Sequence, residues 1–169
     1  MKKLHLCCGF DYKQGFVNVD NISGGPQDMT ADLNKKWAFT ENNSVDYIFI
    51  KDGLEHMDSL NHFFEECSRV LSYGGKVEIW VPHYKAPCAY RITHKFFFSW
   101  SMFDCFPEPH DVIQDLKVVS NKLVVEPKVF PFTLINPIAN IFPKYWERMF
   151  YVAGLKVILE KQTVPKNKK

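Results

Sequence analysis

The 169-residue chain has neither a G-x-G-x-x-G nor a G-x-x-x-x-G-K-[ST] motif. The first absence argues against a dinucleotide crevice and the second against an ATP or GTP phosphate loop, because those ligands need glycine-rich backbone at a helix N-terminus. There is no C-x-x-C, and the five cysteines (Cys7, Cys8, Cys67, Cys88, Cys105) are odd in number with two adjacent. That pattern excludes a disulfide framework and a zinc knuckle, and it fits reduced thiols in a cytoplasmic protein. No basic stripe stands out, since 21 Lys and Arg face 19 Asp and Glu; no nucleic-acid partner is expected. No apolar run reaches the roughly 18 to 20 residues of a membrane span. The nearest approach, residues 129–142, is interrupted by Pro131 and Pro137.

Apolar residues make up 46% of the chain, enough for a core, and the length fits one domain. Strands are expected at "LHLC" (residues 4–7), at residues 16–19, and shortly within residues 28–33. "VDYIFI" (residues 45–50) is a nearly continuous apolar run, as in a strand buried on both faces of a parallel sheet. The clearest helix follows: Asp58 or Ser59 can cap it, and Leu60, Phe63, Phe64, Cys67, Val70 and Leu71 share one face up to Gly74-Gly75. "KVEIWV" (residues 76–81) completes a βαβ unit. Further on, helices are expected over residues 98–106, capped by Ser99 or Ser101, and 145–152, with strands over 117–125 and 155–161. The economical architecture is a mostly parallel sheet between layers of helices.

Ligands of such sheets lie beyond the carboxyl ends of the strands. This chain puts Cys7-Cys8-Gly9, Asp20, Asp32-Leu33, the segment Lys51 to His56, and Pro82-His83-Tyr84 there. An acid after the second strand can hold two ribose hydroxyls, and one after the third can hold an exocyclic amine. Together they point to an adenosine ligand without phosphates.

Several stretches match one family in order and spacing. "LHLCCG" resembles its L-x-L-G-C-G, "FVNVD" its ribose-binding strand, and "ADLN" its adenine segment. "SVDYIFIKDGLEHM" resembles its fourth strand with L-E-H, and "RVLSYGGKVEIWVPH" its R-V-L-x-P-G-G segment. The chain thus resembles class I S-adenosylmethionine-dependent methyltransferases, in the compact branch of the type 11 methyltransferase domain. The resemblance implies a Rossmann-like three-layer sandwich around a seven-stranded sheet, only the last strand antiparallel, with the usual first helix missing. It implies S-adenosylmethionine as cofactor and S-adenosylhomocysteine as product. Cys7, Cys8 and Gly9 would lie against the methionine part, Asp20 would bind ribose, and Asp32 and Leu33 would meet adenine. Lys51, Asp52, Gly53 and Leu54 would approach the sulfonium and acceptor. Cys7 stands where the family has its first glycine, and its sulfur could crowd the cofactor.

The segment "VPHYKAPCAYRITHKFFF" gathers His83, Tyr84 and His94, read as an acceptor pocket or lid with these three as catalytic candidates. His56 is read as structural. By the resemblance, amino methylation of adenine or glutamine would demand an N-P-P-Y after the fourth strand, which the chain lacks. A small-molecule or carbohydrate-like hydroxyl is the expected acceptor. No metal site is expected; Glu108, His110 and Asp111 read as a surface loop. The domain is expected to span residues 1–163, divided into a cofactor half and start of the acceptor segment (1–106) and a C-terminal part (107–163), with a flexible basic tail at 164–169. Two other readings stand beside the enzyme. One is a catalytically silent binding protein that keeps the fold. The other is a membrane- or partner-docking module using the aromatic C-terminal region around Trp146, Met149 and Phe150. Peripheral membrane contact and a homodimer are the partner expectations beyond a small-molecule substrate.

Overall fold

The computed structural model describes residues 1–108, 113–125 and 135–163. The readings at His110 and Asp111, within residues 126–134, and over the tail 164–169 lie outside the described residues.

Seven strands form one sheet: β1 (Lys3–Leu6), β2 (Val17–Asp20), β3 (Met29–Thr30), β4 (Val45–Lys51), β5 (Leu71–Pro82), β6 (Leu116–Val124) and β7 (Gly154–Lys161). Their order is β3-β2-β1-β4-β5-β7-β6. Strands β1 to β5 pair in parallel, and β7 runs antiparallel to both neighbours. The expected topology, with only the last strand reversed, is present. So is the missing first helix: residues 7–16 form turns and loop.

Four α-helices are described, α1 (Leu60–Val70), α2 (Trp100–Asp104), α3 (Ile135–Ala139) and α4 (Pro143–Met149), with 3-10 turns at Leu54–His56 and Pro87–Tyr90. Ser59 caps α1 by accepting from the His62 amide at 3.2 Å, and Ser99 caps α2 by accepting from Met102 at 3.1 Å. The sequence places the end of α1 at Gly74-Gly75, but the helix stops at Val70. Leu71, at φ −64° and ψ 136°, already turns into β5, and its amide closes the last turn on the Cys67 carbonyl.

One face of the sheet is fully dry. Leu4, Leu6, Ile48, Ile50, Val77, Ile79, Val157 and Leu159 are buried there, under Phe63, Phe64, Cys67 and Val70 of α1. The opposite face carries Tyr47, Phe49, Glu78, Trp80, Lys156 and Ile158, all half-buried. Right-handed crossovers put the β1–β2 and β2–β3 links on this second face, and neither link contains a helix. The helix layer is therefore thin where a full sandwich has it, and "VDYIFI" is buried on one face rather than two. Side chains cover the gap themselves. Tyr47 donates to Glu78 at 2.6 Å, Trp80 Nε1 donates to Glu78 at 2.6 Å, and Lys156 pairs with Glu78 at 2.9 Å. Lys13, Lys3 and Lys156 lie over the rings of Phe49, Phe16 and Trp80. Apolar stems roof the rings while the ammonium groups stay in water.

The long link 31–44 also lacks a helix but is tied into the core. Trp37 is buried, its backbone amide donates to Glu66 at 2.7 Å, and Arg69 reaches its carbonyl at 3.0 Å. No described helix is long and apolar enough to cross a membrane.

Candidate functional site

A cavity of about 320 Å³ opens at the carboxyl ends of β1 to β4. That size lies within the range of small-molecule sites. Of the residues the sequence singles out, Cys7, Gly9, Asp20, Asp32, Leu33, Asp52 and Gly53 line it. Asn21, Ile22, Ala31, Asn34, His56 and Met57 also line it, and the sequence reading names none of them as binding residues.

Its floor is shaped by backbone. Gly9, at φ 53°, takes the left-handed conformation, and a Cβ built on it would meet nothing within 4 Å. The glycine therefore faces open space, the kind of cradle that a ligand fills. Cys7 holds φ 51° in the position of the family's first glycine, a conformation costing a non-glycine residue about 1 kcal/mol. Its side chain is turned against Gly53, where an added Cβ would lie 2.7 Å from the sulfur. Burial pushes the Cys7 thiol up to about 12, so it is no nucleophile.

The two acids differ. Asp20 is buried and accepts from three backbone amides: Gly9 at 2.7 Å, Asn21 at 2.7 Å and Ile22 at 3.1 Å. It pins the first loop to the second strand, and one of about four carboxylate lone pairs remains for a ligand. Asp32 is more open. The Asn34 amide, at 3.0 Å, and the nearby Lys35 ammonium hold its carboxyl below the usual carboxylate range.

Three residues expected at the cofactor lie elsewhere. Cys8 is buried, its thiol directed at the Gly9 carbonyl at 3.7 Å. Leu54 is wholly buried in the core. Lys51 emerges on the thin face, because strand alternation sends residues 47, 49 and 51 to that side. There it lines a second cavity, of about 630 Å³, with Phe49, Glu78 and Trp80 on one wall and Pro82, Cys88, Val124 and Leu155 on others. Asp52, at φ 51°, lines both cavities.

The acceptor-segment candidates also separate. His83 is 0% exposed. Its Nδ1 accepts from the Lys85 amide at 3.1 Å, so Nε2 carries the proton and donates to Glu147 at 2.9 Å. Burial draws its pKa below the usual value despite Glu147. With both nitrogens hydrogen-bonded and no exposure, His83 has no free atom to offer a ligand. Glu147 completes the knot by accepting from the Trp100 amide and from Ser101 at 3.0 Å. Tyr84 packs on the His83 ring and lines neither cavity.

His94 is different. Its Nδ1 meets the Ala89 carbonyl at 3.0 Å, and Nε2 has no hydrogen bond among the described residues. Its ring stands edge-on to His56, with centroids 4.6 Å apart. Glu55 lies beside them, 1% exposed, with its Oε2 unpaired. Burial pushes the Glu55 carboxyl up to about 7; a backbone amide and Arg91 pull it down, and Asp52 adds to the rise. His94 is drawn below its usual value by burial first and then by His56. His56, read as structural from its motif, thus joins the cavity wall to a polar cluster. The L-E-H signature was the signal for it, but its partner His94 is 38 positions further along.

Residues 1–79 match a methyltransferase-domain family. The chain has the class I methyltransferase fold. An S-adenosylmethionine-dependent methyltransferase from Archaeoglobus fulgidus superposes with a TM-score of 0.64 at 14% identity, over 95% of this chain and 86% of its own. One from Mesorhizobium loti gives 0.61 at 13% identity, over 95% and 90%. A Haemonchus contortus phosphoethanolamine N-methyltransferase, solved with S-adenosylmethionine, gives 0.59 at 12% identity, over 96% of this chain and 49% of its own. At such identities the likeness is one of fold. No curated protein matches by sequence. In this fold the first cavity lies in the crevice that open α/β sheets use for ligands.

Proposed function

We propose that the chain transfers the methyl group of S-adenosylmethionine to a hydroxyl of a small or carbohydrate-like acceptor. The observation that carries this reading is the meeting of two unlike cavities at Asp52. The first has backbone, short polar side chains and three acids, Asp20, Asp32 and Asp52; the second sets Phe49, Trp80, Val81 and Leu155 beside Lys51, Asp52 and Glu78.

The cofactor supplies a methyl on a positively charged sulfur and brings no phosphate, which fits a cavity with acids and without a phosphate-binding helix end. Asp20 offers its remaining lone pair to one ribose hydroxyl. Asp32 accepts from the adenine amine. Gly9 leaves room for the methionine part. Phe49 and Trp80 hold the acceptor and limit water, so that alignment does most of the work. His94 lines neither cavity and stands edge-on behind His56, which lines the first, so alignment rather than a histidine base carries the transfer and the acceptor's proton leaves to water.

The test is thermal melting with S-adenosylmethionine, S-adenosylhomocysteine and ATP, followed by transfer of labelled methyl to a panel of hydroxyl compounds. Saturating cofactor at about 100 times Kd adds about 2.7 kcal/mol, which reads as a raised Tm. A raised Tm with the first two ligands and not with ATP supports the reading. Equal shifts with ATP, or none, would refute it.

One further observation favours an added property. Ile138, Ile141, Phe142, Tyr145, Met149 and Phe150 of the α3–α4 region are all exposed, beside Lys144 and Arg148. Such a ridge suits docking on an anionic lipid surface. Sedimentation with anionic vesicles, lost in Phe142→Ala with Phe150→Ala, checks it; no sedimentation of the unaltered chain would end the idea.

A further inference from the structure

The cluster behind the His56 wall is built more closely than proton transfer needs. One ligand-type atom from each of Glu55, His56 and His94 lies within 4.8 Å of the other two. Both rings are oriented from behind. His56 Nδ1 meets the Thr93 carbonyl at 3.1 Å and His94 Nδ1 meets the Ala89 carbonyl at 3.0 Å. Neutral rings that donate from Nδ1 leave Nε2 as a bare lone pair, the arrangement that outer hydrogen bonds impose on metal-binding histidines. The backbone is clamped as well, since the Lys95 amide donates to the Glu55 carbonyl at 2.8 Å and its ammonium pairs with Asp58. Glu55 is the odd member: a 1% exposed carboxyl whose Oε2 has no partner. An orphaned buried oxygen is costly and calls for an explanation.

We propose that Glu55, His56 and His94 bind a divalent transition-metal cation of the zinc class, with an open coordination position toward the first cavity. Two imidazoles and one carboxylate suit zinc, iron or cobalt and disfavour magnesium and calcium, which take oxygen ligands. Three protein ligands and one open position are the hallmark of a working rather than a structural zinc site. Ligand bonds of about 2.0 to 2.2 Å require the three atoms to draw in from their present spacing, a small side-chain rotation. The cation gives Glu55 Oε2 a partner and uses the Nε2 that each ring's Nδ1 contact leaves over. The sequence gives no hint of it, because the ligands follow no helical i, i+4 spacing and meet only when residues 93–95 fold onto residues 55–58. That an acceptor oxygen takes the open position rests on the methyltransferase reading; binding of the cation does not.

The test uses the full chain with Cys88→Ser and Cys105→Ser, which removes the exposed thiols as competing ligands. After chelator treatment it is titrated with Zn²⁺ by calorimetry and with Co²⁺ by visible absorption. The expected result is one cation per chain, with affinity lowered more than about 100-fold, beyond an outer-sphere effect, in both Glu55→Gln and His94→Ala. Glu55→Gln keeps the shape and removes a buried charge, so it guards against a folding artefact, and melting curves confirm each variant. No stoichiometric binding, or binding that either variant leaves intact, overturns the proposal. S-adenosylmethionine titrated into the same samples separates the two ideas: its failure to bind with zinc retained would sink the methyltransferase reading and leave the metal site standing.

Discussion

The two cavities that meet at Asp52 are made in opposite ways. The first is made by chain path. Its wall is the set of residues that follow each parallel strand, and its form depends on left-handed turns at Cys7, Gly9 and Asp52 and on the Asp20 carboxylate gathering three amides. The second is made by what is missing. No described helix fills the β1–β2 and β2–β3 links, so one sheet face stays thin and Phe49, Glu78 and Trp80 become a wall. A cavity shaped by local turns does not depend on that helix layer, whereas the second cavity opens where the layer is thin.

The largest effect on this contrast should come from the knot that closes the carboxyl end of β5. Glu147→Ala leaves His83 Nε2–H, the Trp100 amide and Ser101 without an acceptor. A loss of about 3 kcal/mol is expected, read by urea unfolding, and it should damage the second cavity more than the first. A loss below about 1 kcal/mol would mean that the knot is not what supports that end.

Gly53→Ala tests the first cavity alone. The added Cβ would sit 2.6 Å from Cys7 Cβ, so one of two loops must move, at about 1 to 3 kcal/mol. S-adenosylmethionine binding should fall at least about tenfold, and Cys7→Gly in the same chain should restore it. Rescue is the sharper outcome, since simple misfolding would not be repaired by removing a thiol.

Acid should weaken the fold in a defined window. The folded-state values of His83 and His5 lie below the unfolded value of 6.5, with burial the leading cause for both. The fold favours their neutral forms, so the unfolded chain takes up protons first. Stability present above about pH 6.5 is then lost as pH falls below it. Glu55, pushed up to about 7 by burial, works the other way over this window and is common to both proteins, so the effect is read as a difference: between about pH 7.5 and 5.5 the unaltered chain should lose more Tm than His83→Gln. An equal or smaller loss in the unaltered chain would reverse the assignment.

The smallest effect on cofactor binding should come from Trp80→Ala. It removes a ring of the second cavity and leaves every residue lining the first. Cofactor affinity should stay within about twofold while methyl transfer falls; a matching loss of cofactor affinity would mean the cavities are one site.

The same contrast explains what could be read from the amino acids. Gly9, Asp20, Asp32 and Gly53 announce themselves because each follows an apolar strand at short range, and the chain path alone brings those strand ends together. From the residues alone only a mostly parallel sheet was legible; its seven strands and reversed last strand came from the family resemblance. Trp80 and Phe49 were not legible as a wall, since "VDYIFI" looks dry on both faces; the alternating charges of Lys76, Glu78, Lys156 and Glu160 were the hint of a wet face. His83 and His94 look equivalent in sequence. Only tertiary contacts show that one has spent both nitrogens on Lys85 and Glu147 and the other has kept Nε2.

The most direct measurement is calorimetric titration of the purified chain with S-adenosylmethionine, alongside Asp32→Ala and Asp20→Asn variants shown to be folded by circular dichroism. The account predicts a single site in the unaltered chain, weakened at least about tenfold by either variant. A folded protein that takes up no cofactor, or one whose affinity is indifferent to both acids, would contradict it.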